Sequence, residues 1–142
     1  MNDKARTDGA TFDPGAGGWE RVTAHNFGEL IGPVWRQGDG RFGIVAAEKH
    51  SNHRGIVHGG MLMSLADQAM GMTGRRATGD KPHATIELNI QFVGAVKVGD
   101  FVQAHCNLVR QTRSVLFLET KLKVGDRVVA SATGIWKILG AE

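Results

Sequence analysis

Within this 142-residue chain, the types and spacing that could do chemistry lie between residues 52 and 71. They are Asn52, Gly55, His58, Gly59, Gly60 and Asp67. Gly59 and Gly60 sit where a polar loop gives way to an apolar helical pattern. Without side chains the backbone bends sharply there and brings its amides close to a ligand. The first amides of a helix have no partner within it and point outward as anion donors. Asp67 lies among Met61, Leu62, Leu65, Ala66, Ala69 and Met70. A charged acid in such surroundings is costly unless a partner or a function holds it. Gly60, Ser64, Asp67, Gly71 and Gly74 recur at helical spacing, forming one stripe of small residues around a single acid. Such a stripe lets another backbone, or a substrate, come close.

The other candidates are weaker. His58, beside a helix N-terminus, reads as structural, donating to a backbone carbonyl, with proton transfer as the alternative. His50, His53 and His58 invite a metal reading, but no cysteine joins them and His58 stands on the first turn; no metal is expected. Asn52 either stabilises a turn or takes part in the site. Ser64 and Ser114 lack a base by spacing, and Cys106 reads as core, so no nucleophilic triad is signalled.

The elements that must position these residues follow from periodicity. Residues 59–76 form the one long helix, with Arg75 and Arg76 favourable at its negative end, phosphate binding being the alternative reading of these two arginines. A short helix precedes it, capped by Asn26 with Glu29 closing a capping box, and Pro33 ends it. It serves either as packing on the sheet edge or as a partial lid over a pocket. Residues 41–48 read as a first strand after a turn at 38–40. Four strands follow in meander order, at 84–93, 101–110, 114–123 and 127–138. In the first of them Ala84, Ile86, Leu88, Ile90 and Phe92 share one face, and Thr85, Glu87, Asn89, Gln91 and Val93 the other. The last is apolar on both faces, as a central or interface-covered strand is. One strand, one helix and four strands make an α+β domain.

Residues 1–18, rich in Gly, Asp and Thr, read as a flexible tail, leaving one domain at 19–142. Net charge is +3, too mild to argue for nucleic acid by itself. No basic run or aromatic-interleaved patch appears, so no nucleic acid is expected. The charge does suit a polyanionic small ligand. One cysteine excludes an intramolecular disulfide. No secretory segment or membrane span is visible, so the expected location is cytoplasmic.

The pattern Asn52, Gly55, His58-Gly59-Gly60, Asp67 resembles the signature of hotdog-fold acyl-CoA thioesterases, in particular their PaaI-like (phenylacetate-degradation) branch. Weaker likeness runs over residues 26–139. The resemblance implies an antiparallel sheet of five to six strands wrapped around one long central helix, assembled as a homodimer or homotetramer. It implies hydrolysis of acyl-CoA without a cofactor. By the same resemblance Asp67 would be general base or nucleophile, and the Gly59 amide would polarise the thioester carbonyl. Asn52 and His58 would position the loop, carbonyl or water, and Thr85 would stand beside the water. Gly60, Arg54, Arg110 and Arg113 are candidates for contact with coenzyme A. Ala95, where relatives carry proline, departs from the pattern. A hotdog hydratase or dehydratase and a non-catalytic acyl-CoA-binding module are the alternatives.

Overall fold

His58 opens and Thr78 closes the longest helix of the structure, a computed structural model that describes residues 12–140. The elements in order are β1 (Glu20–Arg21), α1 (Phe27–Ile31), β2 (Trp35–Arg36), β3 (Phe42–Val45), a 3-10 turn (Glu48–His50), α2 (Gly59–Ala77), β4 (His83–Phe92), β5 (Phe101–Gln111), β6 (Val115–Val124) and β7 (Arg127–Ile138). The strands form one antiparallel sheet in the order β1-β2-β3-β5-β6-β7-β4. The sheet wraps α2, whose Met61, Leu62, Leu65, Ala66, Ala69 and Met70 are buried against Leu116, Leu118, Leu122 and Trp136. Each fully buried Leu or Met side chain stabilises this packing by about 1.5–3 kcal/mol. This is the architecture that the resemblance implies, with seven strands rather than five to six. The additional strands, β1 and β2, are two residues long and carry no periodicity to read.

Four local expectations are corrected. The four later strands are not a simple meander, because β4 pairs with β7 and β3 takes the place beside β5. Strand β7 lies between β6 and β4 and buries one face only. Ala130, Ala132, Gly134, Trp136 and Ile138 are buried, while Ser131, Thr133 and Lys137 lie on the other, more exposed face, so it is not apolar on both faces as expected. Strand β4 is largely exposed, as an edge strand is. The Asn26 side chain makes no cap bond, and with a φ of 54° the residue does not have the extended backbone usual at an N-cap. The first strand spans only Phe42–Val45.

The tail reading of residues 1–11 lies outside the described residues. Residues 12–18 form a turn, and the Phe12 ring lies 4.6 Å from that of Phe101. Trp19 meets the same ring edge-on at 5.0 Å. This segment covers the outer side of β5, where Phe101 and Gln103 are both buried. Among the described residues no helix is long and apolar enough to cross a membrane.

Candidate active site

The small-residue stripe of α2 faces β4, which runs antiparallel to it. A side chain on Gly74 would meet His83 at 3.1 Å, and one on Gly59 would meet the Phe92 ring at 3.2 Å. Between these ends Thr85 Oγ1 donates to Asp67 Oδ1 at 2.8 Å. His83 Nε2 lies 2.7 Å from the Gly71 carbonyl. The approach that the stripe permits is thus taken up within the chain by the inward side chains of β4.

Strict alternation would turn Thr85 away from the helix, in company with Glu87 and Asn89. A β-bulge at Ile86 prevents this. Thr85 pairs with Trp136 and Glu87 with Ile135, so Ile86 is the extra residue. Trp136 and Gly134 are buried, which places Thr85 on the inner face with Leu88, Ile90 and Phe92. Bulges recur beside sites because they re-aim a side chain in this way. Ile86 itself is left 58% exposed.

At the start of α2 the orphan amides are nearly all accounted for. Gly60 N–H donates to His58 Nδ1 at 2.8 Å, and Met61 N–H to the His58 carbonyl at 2.9 Å. Leu62 N–H reaches the same carbonyl at 3.4 Å. The Gly59 amide alone of this turn has no acceptor among the described residues. The His58 ring, expected to donate to a backbone carbonyl, instead accepts a backbone proton. Accepting at Nδ1 fixes the tautomer with hydrogen on Nε2.

The preceding loop is held by two residues. Asn52 Oδ1 accepts from the Arg54 amide at 2.8 Å and the Ile56 amide at 3.4 Å, so its oxygen closes its own turn. His50 is buried, a role the sequence did not single out. Its Nδ1 accepts from the Ala47 amide at 2.9 Å, and its Nε2 faces the Ile31 carbonyl at 2.6 Å. Its own carbonyl takes the His58 amide at 2.8 Å. One side chain therefore ties α1 to the loop that starts α2. Burial holds its pKa below the ordinary imidazole value, and Lys49 adds to this. Its ring nitrogens face backbone groups, and no cluster of metal-binding side chains occurs among the described residues. Phe92, lying against Gly59, is a second residue that sequence reasoning missed; only its place at the end of the alternating strand hinted at it.

The structure brings Asp67 together with Thr85, and His58 with Gly59 and Gly60. It does not bring these two groups together within one chain. Asp67 lies eight residues beyond Gly59 along α2, or about 12 Å at roughly 1.5 Å per residue. The exposed arginines divide the same way. Arg54 lies on the loop before α2, while Arg110 and Arg113 lie at the sheet end level with Thr85 and Trp136. A groove of about 580 Å³ opens beside His58 and Gly60, lined on one side by Phe27 and Leu30 of α1 and on the other by Met61 and Ser64. Cys106 is a half-buried residue packed on the core, and burial raises its thiol pKa.

Comparison with known proteins bears on the family and the fold. The family profile of the thioesterase superfamily matches residues 54–132, more than half of the chain. A Pseudomonas aeruginosa protein named "Putative esterase PA0474" is 34% identical over 116 residues, covering 78% of this chain and 86% of that protein. The solved structure of the conserved protein PA5202 from Pseudomonas aeruginosa is 30% identical, with a TM-score of 0.75 over 82% of this chain and 95% of that one. The BH2602 protein of Bacillus halodurans, solved with CoA, is 28% identical, with a TM-score of 0.72 over 82% and 78%. The family match over more than half of the chain, with a 34% identical relative and a structural neighbour of the same sheet-and-helix architecture, makes this chain a member of the thioesterase superfamily with the hotdog fold.

Proposed function

We propose that the protein hydrolyses acyl-CoA thioesters, using Asp67 and the Gly59 amide in a site built by two chains. The observation that carries this reading is the Thr85–Asp67 bond. The Thr85 hydroxyl occupies Oδ1 and leaves Oδ2 with no partner among the described residues. Oδ2 can then take a proton from water as the water attacks the thioester carbon, or attack that carbon itself, expelling thiolate to give a mixed anhydride that water then cleaves to the free acid and the Asp67 carboxylate. The Gly59 amide, aided by the α2 dipole, would stabilise the oxyanion while thiolate leaves. His58 acts by shaping the loop, and Asn52 by holding its turn.

The separation of Gly59 from Asp67 calls for a second chain. Strand β4 is an edge strand with Ile86 and Phe92 more than half exposed, as is Val93 just beyond it. Unpaired apolar edges invite pairing with another chain. Antiparallel pairing of two β4 strands about residues 88 and 89 would set Thr85 of one chain against Phe92 of the other. Each Asp67 would then face its partner's Gly59. The groove beside His58 and Gly60 would receive the acyl group, with α1 as its cover. The CoA of the Bacillus halodurans relative supports a CoA ester as substrate, and Arg54, Arg110 and Arg113 are the proposed phosphate contacts. The active unit is a single domain, residues 19–142.

Free thiol release over a panel of acyl-CoA esters tests the reading. Release of CoA with matching free acid is expected. A changed acyl chain without thiol would indicate a lyase, and neither product would indicate a binding module.

A further inference from the structure

A second cavity, of about 650 Å³, lies between the C-terminal half of α2 and the β1–β3 side of the sheet. That is the opposite sheet edge from β4, and neither Asp67 nor Gly59 lines it. Its volume is in the range that encloses a small ligand, about 300–1,000 Å³. Val22, Phe42 and Met72 supply apolar walls, with Phe42 buried and the other two packed on the core. Arg36, Arg75 and Arg76 supply the charge.

Two of these arginines already have partners. Arg36 Nε lies 3.6 Å from Glu20, and Arg75 Nη2 lies 2.9 Å from Asp80. Arg76 has no acceptor among the described residues. Its Nη1 reaches across the cavity to the 37–40 turn, 3.6 Å from where a side chain on Gly40 would begin. The helix end does not occupy it either. The Gly74 carbonyl takes the Thr78 amide and hydroxyl, and the Arg75 carbonyl takes the Asp80 amide at 2.8 Å. Three guanidinium groups against two carboxylates leave one positive charge beside an apolar wall.

We propose that this cavity binds a small amphipathic monoanion, with its carboxylate on Arg76 and its hydrocarbon body on Val22, Phe42 and Met72. A guanidinium pairs a carboxylate through two parallel N–H donors, and the apolar walls select for a tail. The site is independent of the thioester chemistry. Titration of the full chain with octanoate, followed by amide NMR shifts, tests it. Shifts should centre on residues 36–42 and 72–76. Arg76→Gln should weaken octanoate at least about tenfold while thiol release stays unchanged. Octanol and inorganic phosphate should each bind at least about tenfold more weakly than octanoate, since each lacks one of the two features. Shifts centred on Gly59, Thr85 and Phe92 would overturn the proposal. So would phosphate binding as tightly as octanoate, which would mark a basic patch without selectivity. The wild-type titration decides location by itself, so the result does not hang on how the variant folds.

Discussion

Thr85 gives the Asp67 carboxylate one orientation by donating to a single oxygen. Under the proposed mechanism the other oxygen is the reactive one. Asp67→Asn keeps the shape and removes the base, so turnover should fall by at least about a hundredfold. The thermal midpoint should stay near that of wild type. Turnover within a few-fold of wild type in a folded variant would remove Asp67 from the chemistry. Thr85→Val deletes only the orienting bond. A loss of about tenfold is expected, smaller than for Asp67→Asn, because one hydrogen bond to a charged group carries about 1.5–3 kcal/mol. If thiol release does not respond to Thr85→Val, the carboxylate needs no such guide.

At the scale of elements, the first turn of α2 and the loop behind it set the remaining geometry. Proline is accepted at a first helical position, so Gly59→Pro removes the unpaired amide and can keep the helix. Its ring carbon meets Phe92, but so does the methyl group of Gly59→Ala, at 3.2 Å from a ring that is 52% exposed and able to yield. Gly59→Ala should retain most activity and Gly59→Pro none. An active, folded proline variant would dismiss the oxyanion role. His50 makes the loop sensitive to pH. Its folded-state pKa is lowered by burial, with an opposing contribution from the Ile31 carbonyl. Between that lowered value and the ordinary value of about 6.5 the unfolded chain binds more protons than the folded one. The contribution of His50 is therefore fully present above about pH 6.5 and is lost as pH falls through the folded pKa. Urea midpoints at pH 7.5 and 5.5 should differ more for wild type than for His50→Asn. Equal differences would show that the imidazole does not couple to folding.

At the scale of the whole molecule, the prediction concerns the number of chains in a site. Asp67→Asn and Gly59→Pro chains, each inactive alone, are mixed and allowed to exchange. In the shared arrangement about half of the dimers are mixed, each with one intact site of two, so roughly a quarter of wild-type activity returns. If a single chain supplies both groups, every site in the mixture carries a lesion. No recovery despite proven heterodimers would sink the shared site.

What the sequence determined by itself was local. The small stripe of α2 follows from a spacing of three and four residues, and the inward apolar sets of β5 and β6 follow from alternation. The Gly125–Asp126 turn between β6 and β7 is likewise written in its residues; Gly125 has a φ of 59°. The motif placed His58 and Gly59 at the start of one helix and Asp67 about two turns along it. Only the tertiary structure decided how β4 meets that helix. The bulge at Ile86 arises from register against β7, more than forty residues on, and periodicity within β4 points Thr85 the wrong way. The position of β4 beside β7 depends on which strand tolerates an exposed edge, a property of the assembled sheet. The packing of Phe12 and Trp19 over Phe101 joins segments about eighty residues apart or more. A local pattern records which face of an element is apolar; what that face meets is set by contacts between segments that are distant in sequence.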